Sequence, residues 1–355
     1  MASSDISILI IYTGGTIGMI SDLETGALKP FDFRKIEYEV PALKKFGYSL
    51  FSHTFEPPID SSDITPGIWV KLANLIFDNY DHYDGFVVLH GTDTMAYSAS
   101  ALSFMLKNLG KPVIFTGSQL PIETLRTDGR ENLITAIEIA AAQKADRPLI
   151  PEVCIYFENK LYRANRTTKL HAEYFNAFNS YNYPALAKIG IQIHYNFNAI
   201  KAHNEKPFRI QTSLSCNVAI LKIFPGMQPQ YVESVLRTPG LEGLVLETFG
   251  SGNAMTQKWL IRLLTEATQR GLFVLNVTQC SAGRVDMSKY ATGEALSQTG
   301  ILSGYDLTTE AAITKMMWVL AQDKSHEAKR SLFSKDINGE MTVDMGKELL
   351  PHAKA

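Results

Sequence analysis

Three polar clusters in the first hundred residues carry side chains that could do chemistry. Residues 13–16 read T-G-G-T after an apolar run, residues 60–63 read D-S-S-D after a proline pair, and residues 92–93 read T-D after a histidine and a glycine. Hydroxyl groups of this kind serve as nucleophiles when a base takes their proton. Each cluster alone could be structural, because Asp and Ser at helix starts are most often caps. Three clusters at one edge of a sheet are harder to explain by capping.

A threonine hydroxyl is a weak nucleophile and needs a base, directly or through a relay. His90 lies two residues before Thr92, but a lone histidine after a buried strand is more often a core residue than a base. Lys169, beside Thr167 and Thr168, is the other candidate. A lysine acts as a base only when burial or its neighbours lower its pKa, whereas a lysine in a basic stretch is normally solvent-exposed. The residues alone leave both interpretations of Lys169 open.

Several other catalytic chemistries lack their sequence patterns. The chain has no G-x-S-x-G elbow, no H-E-x-x-H pair, no G-x-G-x-x-G and no G-x-x-x-x-G-K-[ST]. These absences argue against an α/β-hydrolase arrangement, a metal hydrolase, and dinucleotide or nucleotide binding. The three cysteines, at positions 154, 216 and 280, are far apart and form no C-x-x-C. They therefore indicate neither a disulfide framework nor a thiolate zinc site.

Length and composition indicate a folded, soluble protein. The 355 residues are 45% hydrophobic and 20% charged, which suits one large domain or two ordinary ones with a sizeable core. A net charge of −2 gives no reason to expect nucleic acid or an anionic membrane surface as a partner. No apolar run approaches the ~18 residues of a membrane span, and the N-terminus lacks the basic and apolar regions of a signal peptide. We therefore expect a cytoplasmic protein.

Short apolar runs alternate with helical patterns in the first half of the chain and must position the three clusters. Strands are predicted at residues 6–12, 48–55, 86–89, 112–115 and 153–157. One helix is predicted to start at Pro66 with Thr65 as its cap, and another to end at Gly110. The β-α-β-α alternation favours a doubly wound sheet with right-handed crossovers, in which ligands bind outside the carboxyl ends of the strands.

A second, smaller α/β domain is predicted in the rest of the chain. The pattern weakens at residues 196–212, which we interpret as a linker between a catalytic N-terminal domain of residues 1–195 and a C-terminal domain of residues 213–355. Strands are predicted at residues 218–224, 243–246 and 273–277, with helices between them. The predicted fold class is α/β, with a larger N-terminal doubly wound sheet and a smaller C-terminal parallel domain three or four strands wide.

The clusters resemble the motifs of the bacterial-type L-asparaginases. T-G-G-T-I-G at residues 13–18 and H-G-T-D-T-M-A at residues 90–96 resemble the two signature motifs of that family. The resemblance covers nearly the whole chain and continues through D-S-S-D at 60–63, T-G-S-Q at 116–119, N-R-T-T-K at 165–169 and N-V-T-Q-C at 276–280. The D-S-S-D form and the lack of a signal peptide resemble the cytoplasmic type I branch.

The resemblance implies hydrolysis of L-asparagine to L-aspartate and ammonia without a cofactor or a metal. Thr16 matches the nucleophile that attacks the side-chain amide carbon. Thr92, Lys169 and Asp93 match the family's second set, in which the lysine acts as base on the threonine and the aspartate also binds the substrate ammonium. Whether Thr16 or Thr92 attacks first does not follow from the sequence.

The substrate-binding residues follow from the same resemblance. Asp60, Ser61 and Ser62 match the loop that binds the α-carboxylate and amino groups of the substrate. Main-chain N–H groups near Gly15 and Thr92 match those that stabilise the oxyanion. Such groups are physically suited to the task, since removing one fixed donor of this kind costs ~2.7–4 kcal/mol.

Two features depart from the family pattern. Many members carry a tyrosine in the hairpin after the first motif, whereas residues 26–30 have none. Some type I relatives use a tyrosine of the C-terminal domain, and Tyr290 matches that position, with a packed surface aromatic as the alternative interpretation. Some relatives also bind asparagine at a regulatory site near the positions of Thr168 and Cys280. Glu247 stands here in place of a basic residue, so the resemblance leaves open whether this chain has the same regulation.

The implied partners are L-asparagine and further copies of the chain, as a homodimer or homotetramer, with no nucleic acid and no membrane. One alternative is a glutaminase–asparaginase, whose pocket would be one methylene longer, a difference worth ~1–3 kcal/mol. Another is a non-catalytic amino-acid sensor or an ammonia-supplying amidotransferase subunit. The lack of an additional tRNA-binding or docking domain in the sequence counts against the subunit.

Overall fold

A computed structural model describes residues 6–21, 28–30, 40–288 and 291–343. The chain forms two compact units, residues 1–214 and residues 215–355. Tyr290 and residues 22–27 of the predicted hairpin lie outside the described residues. The roles predicted for them stay predictions.

The strands of the first unit are short, and eight of them join one sheet. Their bounds are β1 (Ser7–Tyr12), β2 (Met19–Ser21), β3 (Leu28–Pro30), β4 (Ser49–Thr54), β5 (Gly85–Leu89), β6 (Leu106–Lys107), β7 (Val113–Thr116), β8 (Gln143–Lys144), β9 (Arg147–Pro148), β10 (Val153–Phe157), β11 (Lys160–Arg163), β12 (Thr168–Lys169), β13 (Phe178–Asn179), β14 (Ala187–Ile189), β15 (Ile193–Tyr195) and β16 (Arg209–Ile210). The large sheet has the order β15-β14-β11-β10-β7-β5-β1-β4. Neighbours from β4 to β10 are parallel, whereas β11, β14 and β15 are added antiparallel on one side.

The buried strands place three motif loops at one edge of this sheet. β1, β5, β7 and β10 are buried almost throughout, as expected of parallel strands covered on both faces, and they confirm the predicted apolar strands. Tyr12 at the end of β1 lies beside Leu89 at the end of β5, and Leu89 lies beside Thr116 at the end of β7. The loops that follow these strands therefore leave the sheet at the same level.

Helices and 3-10 turns connect these strands. Their bounds in the first unit are α1 (Pro66–Asp78), α2 (Met95–Met105) and α3 (Gly129–Ala141), with 3-10 turns at Thr16–Gly18, Pro41–Lys45, Ser61–Asp63 and Ala164–Arg166. α1 begins at Pro66 as predicted, with Thr65 in the cap position, although the Thr65 hydroxyl makes no capping hydrogen bond. The fixed φ of proline suits the first helical position, and its missing N–H costs nothing there.

The helix predicted to end at Gly110 is shorter than its apolar pattern indicates. α2 ends at Met105, because the next two residues form β6 and pair antiparallel with β16. Asn108 follows with a φ of 59°, outside the right-handed helical region. The prediction was wrong because local periodicity does not reveal pairing with a strand far along the chain.

The second unit is a smaller parallel α/β sheet. Its strands are β17 (Val218–Lys222), β18 (Gly243–Thr248), β19 (Phe273–Thr278) and β20 (Leu302–Ser303), all parallel and adjacent in that order. Its helices in the described residues are α4 (Pro229–Leu236), α5 (Lys258–Gln269), α6 (Ala291–Ser297), α7 (Thr309–Leu320) and α8 (His326–Phe333). The two units confirm the predicted fold class, while the linker at residues 196–212 stays a prediction.

Candidate active site

The first motif loop uses its two threonines differently. Thr13 is buried, and both its N–H and its hydroxyl donate to the carbonyl oxygen of Leu89 at 3.0 Å. This residue extends the pairing of β1 with β5, so its hydroxyl stabilises the sheet. Thr16 begins the 3-10 turn at residues 16–18 and is partly exposed. Of the two hydroxyl groups, that of Thr16 is placed for contact with a ligand.

Glycines allow the first motif loop to touch the other two loops. Gly15 has a φ of 90°, and a Cβ there would lie 2.5 Å from the nitrogen of Gly91. A Cβ at Gly14 would lie 2.0 Å from the carbonyl oxygen of Ile59. A side chain at either glycine would push the loops apart. The main chains of Gly15 and Gly91 are therefore in contact, and a threonine directly follows each of them.

Three predicted residues form one hydrogen-bonded cluster beside this contact. The Nζ of Lys169 donates to Thr92 Oγ1 at 2.8 Å and to Asp93 Oδ1 at 2.7 Å. The Lys169 side chain is 20% exposed and that of Asp93 is 65% exposed, so the cluster opens to solvent on the aspartate side. Lys169 itself pairs with Phe178 in the β12–β13 ladder, which fixes its main chain. A lysine in contact with a threonine hydroxyl is the geometry that a proton relay requires.

The third cluster, at residues 60–63, packs against the second motif loop. Asp60 caps its 3-10 turn by accepting hydrogen bonds from the N–H of Ser62 at 2.9 Å and from the Ser62 hydroxyl at 2.8 Å. These bonds, the main-chain one foremost, hold the pKa of Asp60 below its ordinary value, so the carboxylate is ionised near neutral pH. Ser61 is buried, and a Cβ at Gly91 would lie 2.5 Å from its hydroxyl. The predicted substrate loop and the predicted catalytic loop are therefore neighbours.

Thr16 reaches this region through main-chain packing rather than through its side chain. In the part of the chain that the structure describes, no hydrogen bond joins the Thr16 hydroxyl to Thr92, Asp93 or Lys169. β2 and β3 after the first motif form an antiparallel pair, and residues 22–27 lie outside the described range. Tyr290 also lies outside that range, so its match to the tyrosine of some type I relatives stays a prediction.

Two residues that the sequence did not assign tie the site loops together. The Thr94 hydroxyl donates to the carbonyl oxygen of Ser61 at 2.6 Å. The side-chain amide of Gln119 donates to the carbonyl oxygens of Ala172 and Tyr174, both at 3.1 Å, and so holds the loop that follows β12. Both residues stand inside motifs that carry the family resemblance. Their partners are main-chain carbonyls distant in sequence, and motif spacing gives no signal of such contacts.

Cysteines and carboxylates form no metal centre in the described residues, where no group of three or more His, Cys, Asp or Glu side chains could hold a metal ion. Cys154 is a buried free thiol, and Cys216 and Cys280 are exposed free thiols. Glu247 accepts a hydrogen bond from the Thr309 hydroxyl at 2.6 Å within the second unit. Across the described ranges, no helix has the length and apolar character needed to span a bilayer.

A lysine between a threonine and an aspartate, beside a second threonine on a glycine turn, suits an α/β enzyme that uses a hydroxyl nucleophile. Family models agree in detail. Residues 7–201 match the model described as "Asparaginase, N-terminal", and residues 217–333 match that described as "Glutaminase/Asparaginase C-terminal domain". The chain therefore belongs to the asparaginase family.

Individual relatives extend this finding over almost the full length. The chain is 43% identical to "L-asparaginase 1" of Escherichia coli (strain K12) over 343 residues, which cover 95% of this chain and 98% of that protein. L-asparaginase I from Vibrio cholerae superposes with a TM-score of 0.86 at 40% identity, covering 96% of this chain and 100% of that one. The "Probable Cytoplasmic L-asparaginase from Campylobacter jejuni" superposes with a TM-score of 0.77 at 26% identity, covering 94% and 100%. The first two comparisons confirm the resemblance to the type I branch.

Proposed function

We propose that this chain hydrolyses L-asparagine to L-aspartate and ammonia. The observation that carries the proposal is the position of Lys169 Nζ, 2.8 Å from Thr92 Oγ1 and 2.7 Å from Asp93 Oδ1, beside the turn that presents Thr16. Proteins similar to this chain over nearly its whole length are L-asparaginases by name. The proposed reaction uses side-chain and main-chain groups alone and needs neither a metal nor an organic cofactor.

Thr16 is the proposed nucleophile. Its Oγ1 forms a bond to the side-chain amide carbon, its proton goes to the amide nitrogen, and the C–N bond breaks to release ammonia. Water then cleaves the resulting aspartyl ester, which restores the Thr16 hydroxyl and releases L-aspartate. The partial exposure of Thr16 supports this choice. The Thr13 hydroxyl, in contrast, already donates to the carbonyl oxygen of Leu89.

Lys169 and Thr92 are the proposed proton relay. The lysine in its neutral form accepts the Thr92 proton across their 2.8 Å hydrogen bond, while Thr92 Oγ1 takes a proton from the water that attacks the aspartyl ester. Asp93 keeps the lysine aimed at the threonine, and its exposed carboxylate can also bind the substrate ammonium. The relay therefore links substrate binding to proton movement.

The loop at residues 60–63 and the glycine contact are the proposed binding elements. Asp60, Ser61 and Ser62 hold the α-amino and α-carboxylate groups, for which an ionised carboxylate, hydroxyls and turn N–H groups are suitable partners. Main-chain N–H groups near Gly15 and Thr92 stabilise the oxyanion. The close packing of Gly15 on Gly91 supports this role, because donors that are fixed in advance stabilise a developing charge most strongly.

Ammonia release by the purified chain tests the proposal. We expect the parent to turn over L-asparagine, and Thr16→Ala to reduce kcat by roughly 10,000-fold or more, as removal of a nucleophile does in comparable enzymes. Circular dichroism and thermal melting of the variant should match the parent, because Thr16 lies at the surface of the loop. A parent that released no ammonia would contradict the proposed function. A Thr16→Ala chain that kept a tenth of the rate would show that another residue attacks.

The ratio of kcat/KM for asparagine and glutamine tests the substrate. One methylene in a pocket is worth ~1–3 kcal/mol, so we expect a preference for asparagine of roughly 10- to 200-fold. A ratio near one would favour the wider glutaminase–asparaginase activity. Thr16→Ala should lose both activities if they share one site.

We also propose that the chain works in the cytoplasm as a homodimer or homotetramer. The similarity to a protein described as a probable cytoplasmic L-asparaginase supports the location. Light scattering on the eluting peak of a size-exclusion column tests the assembly. A monomer at working concentration would contradict it.

A further inference from the structure

Two buried side chains bind equivalent carbonyl oxygens in the first and second motif loops. The Tyr12 hydroxyl donates to the carbonyl oxygen of Gly15 at 3.2 Å. The Nδ1–H of His90 donates to the carbonyl oxygen of Gly91 at 2.7 Å. Tyr12 ends β1, His90 directly follows β5, and both side chains are almost completely buried. Each glycine directly precedes a threonine of the proposed site.

Tyr12 holds the first loop from the inside of the sheet. A Cβ at Gly18 would lie 2.2 Å from the Tyr12 ring, so the turn closes directly on that ring. The N–H of Gly18 donates to the same Gly15 carbonyl oxygen at 3.2 Å. Burial raises the pKa of Tyr12 well above its ordinary value, so its hydroxyl stays protonated and remains a donor near neutral pH. The loop is therefore fixed to a rigid strand at the peptide before Thr16.

His90 holds the second loop in the same way. Its Nε2 has no hydrogen-bond partner among the described residues, which suits a neutral ring with the proton on Nδ1. Burial lowers the pKa of His90 to about 4, which agrees with a neutral donor at working pH. The ring lies 5.9 Å from that of Phe115 in the core. The imidazole is thus placed to orient a main-chain group.

A hydrogen bond to a carbonyl oxygen also fixes the N–H on the other side of the same peptide. The peptide group is planar, so holding the Gly15 oxygen sets the direction of the Thr16 N–H, and holding the Gly91 oxygen sets that of the Thr92 N–H. Donation to the oxygen also polarises the group and makes its N–H a better donor. The main chains of Gly15 and Gly91 are in contact, so the two peptides are fixed relative to each other.

We infer that Tyr12 and His90 are positioning residues of the hydrolytic site, and that they act by locking the Gly15–Thr16 and Gly91–Thr92 peptides through the two glycine carbonyls. The inference rests on the proposed function, because it concerns the same loops. It assigns His90 the role of a hydrogen-bond donor at Nδ1. His90 is then neither a base nor a residue that only packs in the core. It also assigns a role to Tyr12, which the sequence indicates only as the last residue of an apolar strand.

Tyr12→Phe tests the first lock, because it removes the hydroxyl and keeps the ring. We expect kcat to fall roughly 10- to 100-fold, the effect of a small displacement of reacting groups, with KM within about twofold and an unchanged pH profile. Tyr156→Phe is the matched control. Tyr156 is similarly buried near the end of β10 in the same sheet, and its hydroxyl donates to a nearby carbonyl oxygen, that of Glu158.

Both variants lose a hydroxyl hydrogen bond to a carbonyl oxygen, so both should melt below the parent, whereas kcat should fall in Tyr12→Phe alone. Equal kcat values in the two variants and the parent would overturn the inference for Tyr12. A fall in kcat that tracked melting temperature in both variants would also overturn it, because the role would then be structural.

A pair of variants tests the second lock. His90→Asn keeps a donor close to the Nδ1 position, whereas His90→Leu removes it. We expect His90→Asn to keep kcat within roughly threefold of the parent and His90→Leu to lose roughly 10- to 100-fold, with little change in KM. Equal losses in both variants would overturn the inference for His90 and would favour a role for the imidazole itself.

The parent and Thr16→Ala separate this inference from the proposed function. If the parent releases no ammonia from asparagine, the proposed function fails and the positioning role with it. If the parent is active, Thr16→Ala is inactive, and Tyr12→Phe and His90→Leu are as active as the parent, the inference alone fails.

Discussion

The two units end their parallel strands in similar polar residues but use them differently. In the first unit, His90 directly follows β5, and β7 ends in Thr116. In the second unit, β18 and β19 end in Thr248 and Thr278. Both sheets are parallel at this point, and both carry threonines near glycine turns. A reader of the sequence could expect a ligand site at either edge.

At the edge of the second sheet, the polar side chains bond to the fold itself. The Thr248 hydroxyl donates to Asn276 Oδ1 at 2.7 Å, and the Thr278 hydroxyl donates to the carbonyl oxygen of Gly250 at 2.6 Å. The Gln279 amide donates to the carbonyl oxygens of Ile223 and Glu247. These groups hold the loops that follow the strands, and little donor capacity is left for a ligand.

At the edge of the first sheet, the buried Thr13 bonds to the main chain, whereas side chains nearer to solvent bond to one another. Thr13 behaves like the threonines of the second sheet, since it bonds to a main-chain carbonyl. Lys169 instead joins the Thr92 and Asp93 side chains, and the aspartate is 65% exposed. Polar residues at strand ends therefore do not define a site by themselves. The edge of the first sheet differs in that the Lys169–Thr92–Asp93 contacts lie beside the packed turn of Gly15 and Gly91.

Two lysine–carboxylate pairs repeat this contrast at equal distance. Lys169 lies 2.7 Å from Asp93, and Lys315 lies 2.7 Å from Glu340. Both partners of the second pair are fully buried, and Lys315 also donates to the carbonyl oxygen of Lys335 at 2.6 Å. We interpret the partly exposed pair as catalytic and the buried pair as structural. Substitution of Lys169 should therefore lower turnover, and substitution of Lys315 should lower stability.

The largest expected effect is that of Lys169→Met on turnover. The variant loses the proposed base, so kcat should fall by roughly 100- to 10,000-fold. The pair is partly exposed, so the free energy of unfolding should change by less than about 1 kcal/mol. Steady-state kinetics and urea denaturation measure both quantities. A rate and pH profile equal to those of the parent would remove Lys169 from the relay.

Lys315→Met should show the reverse pattern. Removing one partner of a buried pair leaves the Glu340 carboxylate without its cation and typically costs about 3–5 kcal/mol of stability. At a temperature where the variant is still folded, its kcat for asparagine should equal that of the parent. Loss of turnover without loss of stability would contradict the structural interpretation of this pair.

Because of the titration of His90, the free energy of unfolding should fall as the pH drops from about 6.5 to about 4. Burial lowers the pKa of His90 from 6.5 to about 4, so between these values the unfolded chain binds a proton that the folded chain does not. This contribution is complete above pH 6.5 and is lost toward pH 4, and it amounts to roughly 3 kcal/mol. Urea denaturation across this range should show a steeper pH dependence for the parent than for His90→Asn. Parallel curves would place the titration elsewhere.

The smallest expected effect is that of Thr248→Val. The variant leaves the buried Asn276 oxygen without its donor and should lose about 1–2 kcal/mol of stability. Its kcat and KM for asparagine should equal those of the parent. A change in kcat with normal stability would show that the edge of the second sheet takes part in the reaction.

The features of the fold and the site that the sequence predicts are those marked by local composition or by a long motif. Buried parallel strands such as β1 and β5 are visible as apolar runs, and glycine and hydroxyl residues mark the loops behind them. The family motifs placed Lys169 with Thr92 and Asp93, and the structure brings these side chains together.

The parts that the sequence does not reveal depend on contacts between distant segments. α2 ends early because β6 pairs with β16. The hydrogen bonds from Tyr12 and His90 to the glycine carbonyls depend on how each loop turns back over its own strand. Neither residue shows this in its type, since both look like core residues after an apolar run.

Trapping of the acyl-enzyme identifies the residue that attacks asparagine. The parent is mixed with L-asparagine, quenched in acid within one turnover and digested, and the peptides are analysed by mass spectrometry. We expect the peptide containing Thr16 to gain the mass of one aspartyl group, and fragmentation to place that group on Thr16. The same group found on the peptide containing Thr92, or on a peptide of the second unit, would show that Thr16 is not the nucleophile.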